Sequence, residues 1–241
     1  MYDILNLLRG ERTLVSIESL RTIPYFAPLA PADLERFCRL VRVRNYTKNE
    51  IIFLEGEPCE GLFLVKSGRV KIYKASEEGR EQVLRIMEPG ESFNEVPIFD
   101  GGPNPASAQA MEDETTLYLV RKEDALALVQ GHPEVALAVL RVFATRLRQL
   151  TFLVEELSFK HVTERLATIL MLYATEPVDV REGACLKHRL TQQELAAMVG
   201  TAREVVARGL KSLERAGAIR VERQRIVIVN KQKLARISGR A

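Results

Sequence analysis

Residues 190–219, LTQQELAAMVGTAREVVARGLKSLERAGAI, hold two helical patterns separated by a glycine. Thr191-Gln192-Gln193-Glu194 has the form of a capping box, in which a hydroxyl and a carboxylate satisfy free N–H groups at a helix start. This predicts a short helix over 192–198, a tight turn at Val199-Gly200-Thr201, and a second helix over 202–216 that stops at Gly217. On the second helix Val206, Leu210 and Leu213 share an inward face. Glu204 and Arg208 lie one turn apart on another face, with Arg203 adjacent. The pattern is that of a helix-turn-helix. A helix so marked can enter the major groove, where Arg pairs with guanine O6 and N7 and Glu accepts from the cytosine amino group. Spacing alone also fits a plain solvated surface with an ion pair.

The flanks favour the nucleic-acid reading. Residues 164–174 read as a helix and Pro177–Leu186 as a loop, and 220–222 with 226–229 read as a small β-wing. The whole chain of 241 residues carries a formal +3. Residues 1–159 hold 19 basic and 24 acidic side chains, whereas 160–241 hold 16 and 8, so +8 is concentrated in the helix-turn-helix module. Such asymmetry marks one part of a chain as the partner of a polyanion. Thr191, Gln192 and Gln193 at the first helix start, Thr201 in the turn, and Arg223 and Arg225 in the wing join Arg203, Glu204 and Arg208 as candidate DNA contacts. Arg220, Lys231 and Lys233 are further candidate phosphate contacts, which add affinity and salt dependence.

Upstream, residues 134–159 form a long helical pattern. Leu137, Leu140, Ala144, Leu147, Thr151, Val154 and Ser158 follow a 3-4-3-4 spacing, and Val139, Phe143, Leu150, Leu153 and Leu157 make a second apolar row. A stripe this wide suits packing on its own domain with one side and on a second copy with the other. A monomeric core helix is the alternative. From Val41 to Val120 the period shortens, with apolar runs at 51–54, 62–65, 70–73 and 115–120 between turn signals, after a helix over 31–40. Many short strands of this kind predict a jelly-roll β-barrel. The fold class expected is therefore α+β: a jelly-roll β-domain over 1–133 with a helical lead, a dimerisation helix over 134–159, and a winged helix-turn-helix over 160–241.

Several classes are disfavoured. No stretch nears the roughly 18 apolar residues of a membrane span. Charges at Asp3, Arg9, Glu11, Arg12 and Glu18 interrupt any signal-peptide pattern, so a cytoplasmic location is expected. Cys38, Cys59 and Cys185 form no C-x-x-C pair, and His132, His161 and His188 no local metal motif; no metal and no resident cofactor are expected. A cupin-like jelly-roll enzyme would need His ligands on barrel strands, yet no His precedes residue 132.

The order of roll, long helix and winged helix-turn-helix resembles the CRP/FNR family of bacterial transcription regulators from about Ile17 to Leu234. Its marks are Ser67-Gly68-Arg69-Val70 with Tyr73, Pro89-Gly90-Glu91-Ser92-Phe93, and Gly200-Thr201-Ala202-Arg203-Glu204-Val205-Val206-Ala207-Arg208. The resemblance implies a homodimer with a cyclic-nucleotide-binding-like roll, a palindromic site with TGTGA-like half-sites, and RNA polymerase as a partner. Ala202 stands where a phosphate-binding serine is common. Ala207 stands where the fumarate/nitrate branch has a serine, which disfavours that branch's half-site.

In the family's cyclic-AMP site a Gly-Glu pair holds the ribose and an Arg-Ser pair holds the phosphate. Here Glu95 is in place, but Asn94 replaces the Gly and Pro105-Ala106 replace Arg-Ser. A buried phosphate without its cation faces a desolvation cost of several kcal/mol, on the order of a lone buried charge, so tight cyclic-nucleotide binding is not expected. An unidentified small-molecule effector at Glu95, Ser107, Leu150 and Thr151 and an effector-free roll stay open alternatives. An iron–sulfur cluster would need N-terminal cysteines, and residues 1–37 contain none. Haem or redox sensing through His132, His161, Cys59 or Cys38 is the remaining sensor alternative.

Overall fold

The computed structural model describes residues 15, 17–21, 23, 25–174, 184–185, 190–222 and 225–239. The chain divides into two compact units, one comprising the residues up to Tyr73 with Arg85–Arg146, the other Lys74–Leu84 with the residues from Leu147 onward.

The first unit opens with α1 (Ile17–Arg21) and α2 (Pro31–Cys38). Pro31 starts α2 with its φ already set for a helix, and Leu34 and Phe37 fall on the buried side. The strands β1 (Arg42–Tyr46), β2 (Ile51–Phe53), β3 (Gly61–Ser67), β4 (Val70–Ala75), β5 (Glu81–Met87), β6 (Ser92–Phe93), β7 (Ser107–Ala110) and β8 (Thr115–Arg121) follow, with α3 (Val96–Asp100) between β6 and β7. They form two four-stranded sheets, ordered β1-β8-β3-β6 and β2-β7-β4-β5. This is the expected jelly roll.

Side chains alternating along β3 and β8 build two cores. Phe63, Val65, Leu117 and Leu119 meet Val70, Met87, Phe93 and Ala108 inside the roll, with Phe63 stacked on Phe93 at 5.3 Å. Leu62, Leu64, Tyr118 and Val120 point the other way, to Leu20, Phe26, Leu34, Phe37, Val135 and Val139. Strand β3 is buried on both faces over its first five residues, which is why its sequence reads as an unbroken apolar run. Gly68 turns the chain from β3 to β4 at φ +77°, and a Cβ there would stand 2.8 Å from Thr115 Cα.

Helix α4 (Lys122–Gly131) and α5 (Pro133–Phe159) are bent 114° from each other. Val135, Ala138 and Val139 are buried on α5, whereas Leu137, Leu140, Leu147 and Val154 are 51, 62, 66 and 63% exposed. Among the described residues no single helix is long and apolar enough to cross a membrane.

The second unit continues with α6 (Val162–Leu172), β9 (Ala184–Cys185), α7 (Gln192–Val199), α8 (Arg203–Arg215), β10 (Ile219–Glu222), β11 (Arg225–Ile228) and α9 (Lys231–Ile237). Leu166, Leu170, Leu195, Val199, Val206, Leu210, Leu213, Ile228 and Leu234 close one core. The loop expected over Pro177–Leu186 is corrected at its end: Cys185 pairs with Val227 and Ala184 with Ile228, adding a third strand in the order β10-β11-β9. Two residues are too few to show alternation. Residues 177–183 and 186 of that loop, and Arg223 of the wing, lie outside the described residues. Helix α9 was not expected; the Asn230 side chain caps it, accepting from Lys233 N at 2.8 Å.

Candidate nucleic-acid interface

The helix-turn-helix is set by its caps. Glu194 N donates to Thr191 Oγ1 at 3.1 Å and Thr191 N donates to Glu194 Oε2 at 2.6 Å, so the capping box forms as expected. The Thr191 hydroxyl accepts in that bond and keeps its own O–H to donate. At the other end of α7, Gly200 adopts φ +74° and both Gly200 N and Thr201 N donate to Ala196 O. This left-handed residue ends α7 and lets α8 leave in a new direction.

Along α8, Val206, Leu210 and Leu213 are 0, 3 and 1% exposed, while Arg203, Glu204 and Arg208 are exposed on the remaining face. Thr191 and Gln193 are exposed, and Gln192 and Thr201 are half-buried. Arg225 is exposed at the start of β11. The wing is tied to α8 by Glu214, whose Oε1 accepts from Val221 N at 2.9 Å, a contact the sequence pattern did not reveal. The result is a helix face that presents Arg203, Glu204 and Arg208, suited to groove edges and phosphates.

The first unit contains a second group of polar side chains. Glu95 is 2% exposed, and its carboxylate accepts from Tyr25 Oη at 2.9 Å and from Arg146 Nη1, while Arg146 Nη2 donates to Ser92 O. Burial disfavours charge on Arg146, but the Glu95 carboxylate outweighs it and raises the guanidinium's pKa. Burial, and then the charge of Glu95, pushes the Tyr25 phenol far up, so it stays a neutral donor. Neither Tyr25 nor Arg146 was singled out from sequence; an arginine in a long amphipathic helix reads as a solvent-facing charge. Beside the trio lies a small apolar recess of about 20 Å³, lined chiefly by Phe26, Leu62, Ile98, Phe99 and Val139.

Ser107 is buried and its Oγ accepts from Glu55 N at 3.0 Å. Asn94 takes φ +71°, the left-handed region, where asparagine is tolerated better than most residues. Its amide donates to Asn104 Oδ1 at 3.1 Å and Gly61 O at 3.2 Å. Leu150 and Thr151 belong to the second unit; both are exposed, and Thr151 Oγ1 donates to Leu147 O at 2.9 Å.

Among the described residues no three His, Cys, Asp or Glu side chains could together hold a metal ion. Cys38 and Cys59 are free thiols whose pKa values burial pushes up, which works against thiolate chemistry.

Residues 43–132 match the model of the cyclic nucleotide-binding domain, and residues 164–237 that of the Crp-like helix-turn-helix domain. The chain is 33% identical to the CRP-like cAMP-activated global transcriptional regulator of Mycobacterium tuberculosis, over 91% of this chain and 98% of that one. It is 35% identical to the cyclic AMP receptor protein of Thermus thermophilus, over 82% of this chain and 88% of that one. The solved structure of the c-di-GMP responsive global regulator CLP of Xanthomonas campestris superimposes with a TM-score of 0.73 at 27% identity, covering 83% of this chain and 99% of that one. With a roll, a long helix and a capped reading head in one order, the chain belongs to the CRP/FNR family of DNA-binding transcription regulators, and it is not an enzyme.

Proposed function

We propose that the protein is a cytoplasmic homodimeric regulator that reads a palindrome of TGTGA-like half-sites and engages RNA polymerase. The observation that carries this is the face of α8: Arg203, Glu204 and Arg208 are exposed together, opposite a fully buried apolar row. Arg203 and Arg208 would take guanine edges and Glu204 a cytosine amino group, each good pair supplying about 1–3 kcal/mol of discrimination. Thr191, Gln192, Gln193, Thr201, Arg223 and Arg225 would hold phosphates. The exposed Leu137, Leu140, Leu147 and Val154 supply the seam between copies. In a gel shift, Arg203→Ala is expected to lose preference for the palindrome over scrambled DNA while the protein stays dimeric in size-exclusion chromatography; unchanged preference would remove the assigned role.

The roll is proposed to lack tight cyclic-AMP control. Pro105 and Ala106 provide no cation, Asn94 is tied to Asn104, and Arg146 is already balanced by Glu95. A small effector other than cyclic AMP would meet Glu95 and Ser107 in the roll. The relatives described as cAMP-activated and c-di-GMP responsive make these two nucleotides the first to test. Calorimetry is expected to show no micromolar binding of cyclic AMP.

A further inference from the structure

A single guanidinium on α6 closes the C-terminal ends of α5 and α7. Arg165, in the first turn of α6, donates from Nη1 to Lys160 O at 2.8 Å and from Nε to Val199 O at 3.0 Å. Lys160 is the first residue after α5, and Val199 is the last of α7. Carbonyls at helix C-termini lack an internal partner and carry the negative end of the dipole. An arginine fork suits two such acceptors at once, because its donors are fixed in one plane. The Lys160 end is itself held: its Nζ donates to Ser238 O at 2.6 Å and stands 2.6 Å from Glu156 Oε1. One residue beyond Val199 comes Gly200, then the turn into α8.

We propose that Arg165 is a positioning residue for DNA reading, fixing the direction of α7, and through the Gly200 turn that of α8, against the end of α5. It touches no base in this role. It sets the angle at which each reading helix leaves the long helix, and hence the separation of half-sites that a dimer accepts. The proposal rests on the homodimeric reading above.

The test compares full-length wild type, Arg165→Ala and Arg165→Lys on palindromes whose half-site spacing is varied base pair by base pair, with thermal unfolding and half-site base preference measured in parallel. Wild type is expected to favour one spacing sharply. Arg165→Ala is expected to lose about tenfold or more on that spacing, the order set by two charge-assisted hydrogen bonds, and to bind neighbouring spacings nearly as well. Its base preference within a half-site should persist. Arg165→Lys, whose point charge reaches one carbonyl rather than two, should fall between them. Wild-type spacing preference in a folded Arg165→Ala overturns the proposal alone. Equal loss of spacing and base preference also overturns it, since that marks general damage to the head. A wild type indifferent to spacing overturns the dimeric reading and this proposal together.

Discussion

Glu95 is almost fully enclosed, and its charge is tolerated because Arg146 balances it and Tyr25 adds a hydrogen bond. Removing one partner of a buried pair leaves the other charge desolvated, which costs about 3–5 kcal/mol. Arg146→Met is therefore expected to lower stability by about that amount in urea unfolding. Adding Glu95→Gln to that background should recover most of the loss, because the orphaned carboxylate is gone. If the double variant is no more stable than the single, the loss came from packing of the arginine stem. Glu95 was identifiable from its place in a motif. Arg146 was not, since its partner lies 51 positions away and nothing local announces burial.

Elements with strong punctuation were readable from sequence. Helix α7 begins one residue after its capping threonine and ends at a left-handed glycine, and α8 stops just before Gly217, so both bounds follow from local chemistry. The roll was legible as a class, but its pairing order was not: β8 lies between β1 and β3, a long-range arrangement fixed by which faces bury together. Strand β9 escaped because two residues carry no period, and α9 because its cap follows the apolar strand β11 after a single intervening residue. On α5 both apolar rows are visible in the sequence; Leu140 and Leu147 of the first are more than half exposed, whereas the second runs from Val139, 7% exposed, to Leu150 and Leu157, 48 and 40% exposed. Placing charge on that exposed row should cost the fold little and self-association much. The double variant Leu140→Glu with Leu147→Glu is expected to sediment as a monomer with near-native circular dichroism; a persistent dimer would place the seam elsewhere.

For the whole molecule, +3 is the residue of −5 over 1–159 and +8 over 160–241. The described apolar core of the helix-turn-helix part draws its members from residues 162–237. Residues 160–241 made alone should bind random-sequence DNA with an affinity that falls steeply as salt rises, by counterion release. Residues 1–159 should bind almost none. Equal retention of both fragments on heparin or DNA resin would break this division of labour. The wing has one further consequence. Strand β10 ends its sheet, a position that ordinarily invites another chain to add a strand. Here the Glu214 carboxylate takes the Val221 N–H, and the ion-paired Arg220 and Glu222 flank it. The tether that steadies the wing against α8 thus doubles as a guard against edge-to-edge strand addition at β10.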